Sequence, residues 1–310
     1  MMKALHIQTP LIVSQNLKNK FNKSIYFKME CLQPSGSFKL RGIGALCQEE
    51  AAKGVDCFVA SSGGNAGIAV AYCGMKMNIP TTVFIPNSSH PLYIEAIQSY
   101  GARVVIAGSV WDDAHQAALE FVKNNKAAYI PPFDHPTLWK GHSTLVDEVV
   151  QQGLVKPDAV VLSVGGGGLA CGILEGMHRH NWKDIPLIAV ETLGADAFAH
   201  SVKAGSLIRL EKISSKATTL GAKQVTAQLM DWAKKHPIVN SVVSDKEAEL
   251  ACFAFAREQR VLVELSSGAA LTAAYNNHPA LQQASSVLVI VCGGINISHF
   301  PIPNHSGNAL

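Results

Sequence analysis

Lys39 sits near the end of the stretch 32–42, LQPSGSFKLRG, after a run rich in Pro, Ser and Gly. Upstream, residues 24–30 (SIYFKME) alternate in polarity as a half-buried strand does, and downstream, residues 43–53 read as a helix. A strand-to-helix junction is a usual place for a functional side chain in an α/β protein. A lysine held partly out of water loses some of its preference for the ammonium form and becomes a nucleophilic amine. Such an amine forms a Schiff base with an aldehyde, and pyridoxal phosphate supplies one. Taken alone, a lysine in a turn is more often simply solvated, so the reading depends on the other motifs.

Gly165, Gly166, Gly167 and Gly168 follow the apolar run AVVLSV and open a helix. Backbone N–H groups free of side-chain bulk, aimed along a helix N-terminus, cradle a phosphate. A rival reading exists, because Gly165, Gly167 and Ala170 also fit the G-x-G-x-x-A dinucleotide pattern, with Glu191 as the ribose acid. That reading leaves Lys39 and the segment SSGGNAG (61–67) without a role. In SSGGNAG, the Ser62 hydroxyl and the loop N–H groups can hold a carboxylate, and Asn65 can bond a ring hydroxyl or the substrate. Helix capping by Ser62 or Asn65 is the plainer alternative. Cys292 ends the run VLVIV and precedes Gly293 and Gly294, which permits close approach of a flat ring. A buried structural cysteine is the ordinary reading of any one cysteine.

The elements that must position these groups alternate along the chain. Strands are expected at 55–60, 81–85, 103–107, 128–130, 159–164, 187–190 and 287–291. Helices are expected from the SSGGNAG loop to Met77 and over 91–100, 111–125, 137–152, 169–179, 222–235, 246–258 and 267–276. This β-α-β-α order predicts an α/β fold whose sheets are mostly parallel and covered on both faces. SSGGNAG, GGGG and CGG all fall at the carboxyl ends of expected strands, where open α/β sheets bind ligands. The last ten residues, PIPNHSGNAL, read as a frayed tail.

Composition excludes several classes. At 310 residues, 48% hydrophobic and 16% charged, the chain has the make-up of an ordinary buried-core protein of one large or two modest domains. A net charge of +3 with no dense Lys/Arg stripe gives no reason to invoke nucleic acid. No apolar run is long enough to cross a bilayer, and the N-terminus lacks a signal-peptide core. Seven scattered cysteines without a CxxC pair argue against a disulfide framework or zinc ribbon and fit a reducing cytoplasm. The twelve histidines show no metal spacing, and His178 and His180, near the end of an expected helix, read as solvated.

The segments PSGSFKLRG, SSGGNAG, SVGGGGL and VCGG, in this order and spacing, resemble the pyridoxal-phosphate-dependent serine/threonine dehydratases. YIPPFDHPTLWKGH and AVETLGA extend the similarity over nearly the whole chain, toward the animal-type L-serine dehydratases and their serine dehydratase-like relatives. The resemblance implies two open twisted sheets in a tryptophan-synthase-β-like fold, with a small domain (42–140) inserted in a large one (1–41 and 141–310). It implies that Lys39 is the Schiff-base lysine and that Phe38 packs on the pyridine ring. Gly165, Gly166, Gly167, Gly168 and Leu169 would bind the cofactor phosphate, Asn65 the ring 3-hydroxyl, and Cys292 would face the ring nitrogen, where many relatives carry serine. Ser62, Gly63, Gly64, Asn65 and Ala66 would line the substrate carboxylate site. Gly165, Glu191, Ala195, Leu220 and Ala222 match a region that holds a monovalent cation, K+, in similar proteins.

The implied reaction is dehydration and deamination of L-serine to pyruvate and ammonia, and of L-threonine to 2-oxobutyrate, by a homodimer. Gly63, where some liver-type enzymes have alanine, bears on rate and substrate preference. The chain ends soon after VCGGINIS, so feedback control through an appended module is not expected. Serine racemase, threonine synthase and cysteine synthase would use the same lysine, although Leu-Arg-Gly after Lys39 looks more like the dehydratases than the sulfhydrylases. An NAD-dependent oxidoreductase and a catalytically silent cofactor binder are the alternatives from other classes.

Overall fold

The computed structural model of the chain describes residues 3–154 and 156–300, and the tail expected to fray lies outside them. Its larger sheet is built from β1 (Leu11–Val13), β2 (Ser24–Lys28), β7 (Ala159–Ser163), β8 (Leu187–Thr192), β9 (Ile238–Val243) and β10 (Ser286–Ile290). The strand order is β1-β2-β10-β7-β8-β9. A second sheet, ordered β5-β4-β3-β6, comprises β3 (Cys57–Ala60), β4 (Thr81–Ile85), β5 (Arg103–Ile106) and β6 (Ala127–Tyr129). Every named pairing is parallel except β1 with β2. β4, β7 and β8 are buried at every residue, as strands covered on both faces are, and none of them alternates apolar with polar residues.

The helices are α1 (Gln15–Phe21), α2 (Lys39–Ala52), α3 (Asn65–Met77), α4 (Pro91–Ser99), α5 (Trp111–Lys123), α6 (Pro136–Gln151), α7 (Gly168–Arg179), α8 (Ala197–Ala204), α9 (Ala227–Ala233), α10 (Asp245–Gln259) and α11 (Leu265–Tyr275). One apolar cluster runs from the smaller sheet through α2, α3, α6 and α7 to one face of the larger sheet. The other face is covered by α10 and α11, where Phe255 meets Phe27 edge-on at 5.4 Å. α11 is buried from Leu265 to Ala274 and is made largely of small residues. A Cβ on its Gly268 would lie 2.3 Å from the Ala248 carbonyl oxygen, so α10 and α11 pack at backbone distance.

Several elements differ from expectation. α2 begins at Lys39, not at residue 43. Its glycines suggest a break in the sequence but serve helix packing: a Cβ on Gly42 would lie 2.6 Å from the Leu138 carbonyl oxygen, and one on Gly141 would lie 2.6 Å from Gly42 Cα. The helix expected at 222–235 is confined to Ala227–Ala233. β1, α1, α8 and β9 lack the expected signals, because β1 has only three residues, α1 buries only Leu17 and edge strand β9 is largely half-buried.

Beneath the α2–α6 contact lies a buried ion network. The Arg41 guanidinium donates to both oxygens of Glu30, at 2.7 and 2.8 Å, and to both of Glu148, at 2.7 and 2.6 Å. Lys28 Nζ adds a 2.8 Å bond to Glu148 and a 2.7 Å bond to the Thr9 carbonyl. Each of these four charged groups therefore has an oppositely charged partner, as burial requires.

Candidate active site

After β2 the chain makes a short turn at Glu30–Leu32 and zips against the end of β10. Cys31 N donates to Val291 O at 3.0 Å, Phe38 N to Cys292 O at 3.0 Å, and Gly294 N to Gly36 O at 2.9 Å. Gly293 has φ +87°, and a Cβ there would lie 2.3 Å from the Gly36 oxygen, so the close approach needs glycine. This zipper fixes Lys39 as the first residue of α2, beside the carboxyl end of β10. Lys39 is half-buried, and loss of solvation lowers its pKa to about 8 against the opposing pull of Cys292 and Glu264. Its Nζ donates to the Pro132 carbonyl and stands 5.2 Å from the Phe38 ring centroid. Phe38 in turn meets the His142 ring edge-on at 5.0 Å.

The loop after β7 and the loop before α6 are built against each other. Gly167 is the N-cap of α7 with φ +91°. A Cβ on Gly166 would lie 2.4 Å from the Phe133 ring, and one on Gly168 would lie 2.5 Å from the Phe133 carbonyl oxygen. Thr226 closes the arrangement, its N–H donating to Gly166 O at 3.0 Å and its hydroxyl to Asp134 at 2.7 Å. Trp139 Nε1 holds Phe133 O at 2.9 Å. Lys39 touches Pro132 and the glycine loop packs against Phe133, so adjacent residues join the amine to the glycine loop.

Cys292 is buried against three hydroxyls: Ser267 at 3.2 Å, Ser163 at 3.6 Å and Ser266 at 3.7 Å. Burial, reinforced by the Glu264 carboxylate, pushes its thiol pKa up. The plainer reading of SSGGNAG, capping by Ser62 or Asn65, is not what forms. Gly64 is the N-cap of α3 without a side-chain bond, and Ser62 Oγ reaches only Gly64 N, at 3.4 Å. Asn65, buried as the first residue of α3, donates from Nδ2 to Glu264 Oε1 at 2.9 Å and accepts from Ile295 N at 3.3 Å. Ala66 is buried beside it, while Ser62, Gly63 and Gly64 are half-buried.

The cation-region residues gather around the end of β8. A Cβ on Gly165 would lie 3.0 Å from Leu220 Cα. Ala195 and Leu220 share one buried cluster, and Ala222 N donates to Leu220 O at 2.8 Å. Glu191 is fully buried, accepts from Phe198 N at 2.8 Å and Ala199 N at 2.7 Å, and has its pKa raised to about 7 by burial. A carboxylate so enclosed beneath α8 is not placed as the ribose acid of a dinucleotide site. His178 and His180 are not merely solvated: His180 Nε2 pairs with Asp147 at 2.7 Å, and His178 Nε2 lies 3.2 Å from His236 Nδ1. Among the described residues no group of three or more His, Cys, Asp or Glu side chains could hold a metal ion, and no helix is long and apolar enough to cross a membrane.

Sequence reasoning missed Glu264 and the contact role of Pro132–Phe133. A lone acid within the apolar stretch 261–274 was the available signal for Glu264. The carboxylate is buried, accepts from Asn65, Ser266 and, at 2.6 Å, Thr219, and receives Asn296 N at 3.4 Å.

The half-buried amine of Lys39, the glycine loop at the start of α7 and the buried thiol after β10 are thus linked through Pro132–Phe133 and the β10 zipper. Residues 2–293 match the model of the family described as "Pyridoxal-phosphate dependent enzyme", and the chain belongs to that family. The fold is the α/β, tryptophan-synthase-β-like arrangement of such enzymes. Among its relatives, the "L-serine dehydratase/L-threonine deaminase" of Bos taurus is 44% identical over 303 residues, covering 95% of this chain and 93% of that protein. The "Serine dehydratase-like" protein of Homo sapiens is 44% identical, covering 94% and 92%. The solved fungal L-serine ammonia-lyase from Rhizomucor miehei superposes with a TM-score of 0.90 at 38% identity, covering 95% of this chain and 96% of that one. Maize serine racemase superposes with a TM-score of 0.85 at 26% identity, covering 94% and 90%. The residues present fit the coenzyme, since Gly166 and Gly168 stand where any Cβ would meet Phe133, and the half-buried amine of Lys39 lies near the buried thiol of Cys292.

Proposed function

We propose that this protein is an L-serine/L-threonine ammonia-lyase, converting L-serine to pyruvate and ammonia and L-threonine to 2-oxobutyrate and ammonia. The observation that carries the proposal is the junction at Pro132–Phe133, which sets the Lys39 amine beside the Gly165–Gly168 cradle. Pyridoxal phosphate, when bound, supplies an aldehyde for amine exchange and a ring that accepts the electron pair released at Cα.

Lys39 is both the tether and the base: with its pKa at about 8, Nζ is partly neutral near pH 7.5 and can take the Cα proton. Gly165, Gly166, Gly167, Gly168 and Leu169 hold the phosphate through backbone N–H groups, with α7 behind them. The uncapped start of α3, with Ser62, Gly63, Gly64 and Ala66, takes the substrate carboxylate, and Asn65 serves the ring hydroxyl. Phe38 would pack on the ring face. Cys292, whose thiol burial pushes up in pKa, would stand toward the ring nitrogen and would not favour a positive charge there as a carboxylate would, which would favour elimination over transamination.

The same reading assigns 42–140 to a small domain and 1–41 with 141–310 to a large one; the strands of the smaller sheet, β3 to β6, all fall between residues 57 and 129. It assigns a monovalent cation, K+, to Glu191 and the neighbouring Gly165, Ala195, Leu220 and Ala222, because a buried carboxylate held, among the described residues, by two backbone amides suits a cation. It places the chain as a homodimer in the cytoplasm, with its seven free cysteines in keeping with a reducing compartment. The test is purified protein loaded with pyridoxal phosphate and assayed for ammonia and keto acid on a panel of hydroxy-amino acids, with D-serine scored in parallel. Pyruvate from L-serine supports the assignment, whereas D-serine as the dominant product would replace it with racemisation.

A further inference from the structure

The Glu264 carboxylate sits where three parts of the chain meet and has no place in the scheme above. It stands at the N-cap of α11 on the larger-sheet side, yet its Oε1 accepts from Asn65 at the start of α3 on the smaller-sheet side. Oε1 also accepts from the Thr219 hydroxyl at 2.6 Å and from the Ser266 hydroxyl, while Oε2 receives Asn296 N, at 3.4 Å. Gly294 (φ +135°) makes room for it, since a Cβ there would lie 1.8 Å from the carboxylate carbon. The same carboxylate forms one wall of a cavity of about 470 Å³ lined also by Thr218, Thr219, Asn296 and His299.

These contacts decide which way the Asn65 amide faces. The two ends of an asparagine amide are distinguished by what surrounds them. A carboxylate on one side requires the NH₂ group, and a backbone N–H from Ile295 on the other requires the carbonyl. Nδ2 carries two protons and Glu264 takes one, so the proton left over is a donor and the amide cannot present its oxygen in that position. A carboxyl oxygen behind an N–H also polarises it and strengthens the bond that the second proton makes.

We propose that Glu264 is a positioning residue: by holding Asn65 it fixes an N–H donor toward the ring oxygen of the coenzyme and ties the start of α3 to the α11 side of the cleft. The proposal rests on the function proposed above. Glu264 acts through Asn65 and touches no reacting atom.

The test is a cycle of Glu264→Ala, Asn65→Ala and the double variant, each loaded with pyridoxal phosphate and read by the coenzyme's absorption spectrum as well as by kcat and KM for L-serine. The expected result is that Glu264→Ala shifts the ratio of absorption bands in the same direction as Asn65→Ala and lowers kcat roughly tenfold or more, the size of one charge-assisted hydrogen bond. Because one residue acts through the other, the double variant falls within about twofold of Asn65→Ala alone. Glu264→Gln, whose amide oxygen can still accept from Asn65, returns the spectrum toward wild type. Effects that multiply in the double variant, or an unshifted spectrum in Glu264→Ala, overturn the proposal.

If Glu264→Ala does not fold, the near-isosteric exchange decides. Asn65→Asp sets a second carboxylate against Glu264 and leaves no N–H for the ring oxygen, so it weakens coenzyme binding at least tenfold, and adding Glu264→Gln relieves the repulsion alone and recovers part of it. A double exchange no better than Asn65→Asp overturns the proposal. Wild-type protein that forms no lysine-bound chromophore would instead sink the underlying function, a different outcome in the same experiment.

Discussion

The Lys39 amine donates to the carbonyl of Pro132, and the next residue, Phe133, lays its ring where a Cβ on Gly166 would be. Two segments more than a hundred residues apart in the chain thereby share one wall. The amine is positioned by α2 and the β10 zipper, the cradle by β7 and α7, and the loop before α6 sets their separation. Perturbing that wall therefore changes cofactor capture before it changes the fold.

Gly166→Ala tests the wall directly. The new methyl would meet the Phe133 ring at 2.4 Å, closer than any real contact, so either the ring or the glycine loop has to move. Overpacking of this kind costs about 1–3 kcal/mol, and here the expectation is a roughly tenfold weaker Kd for pyridoxal phosphate, measured by fluorescence titration. Phe133→Ala in the same chain should recover part of the loss. An unchanged Kd would mean that the cradle is elsewhere.

The lowered pKa of Lys39 has a kinetic consequence. Capture of pyridoxal phosphate by the apoprotein requires the neutral amine, whose fraction rises about tenfold per pH unit below the pKa and then levels off. The capture rate should climb toward pH 8 and flatten above it. In stability terms the sign is fixed as well, because between about 8 and 10.5 the unfolded chain holds the proton that folded Lys39 has lost, so this group adds stability as pH rises through that window. A capture rate still rising steeply at pH 9.5 would contradict the assigned environment.

Removing Arg41 should be severe for a different reason. Arg41→Ala leaves the buried Glu30 carboxylate without its guanidinium, and breaking such a pair costs about 3–5 kcal/mol, to be read as a drop in ΔG of unfolding by denaturant titration. Glu148 keeps a pKa below the ordinary value against the opposing effect of burial, because Arg41 and Lys28 bond to it. Its contribution is present above the unfolded value, about 4.3, and is lost as the pH falls through the folded value. Glu148→Gln should therefore flatten the acid side of the stability profile, and an acid limb identical to wild type would remove the network from the account.

Gly63→Ala probes substrate choice. Its methyl would sit 2.8 Å from Ser89 Oγ and 3.2 Å from Ile85 Cγ2, inside the loop assigned to the substrate carboxylate. The bulkier threonine should suffer more, with the threonine-to-serine ratio of kcat/KM falling by roughly tenfold. A ratio that stays constant would place the side-chain pocket away from this loop.

Much of this was legible in the sequence, for reasons particular residues make plain. β7 and β10 are short, largely apolar runs with glycines soon after them, and Gly165–Gly168 and Gly293–Gly294 mark the strand ends where a neighbouring backbone or side chain comes too close for a Cβ. What could not be read were relations between distant side chains. Glu264 is an ordinary acid until its Asn65 bond is seen, and Arg41 looks like a surface residue beside Lys39 until Glu30 and Glu148 close around it. Gly42 and Gly141 resemble helix breakers because the sequence does not show that each faces the other helix. Edge strand β9 and helix α1 were missed because neither buries enough to leave a strong apolar pattern.

The most direct test is reduction of the pyridoxal-phosphate-loaded protein with borohydride, followed by peptide mass analysis, alongside turnover of L-serine by Lys39→Ala. The account predicts the reduced coenzyme on Lys39 alone, with no chromophore and no pyruvate from the variant. A label on another lysine, or full turnover without Lys39, would contradict it.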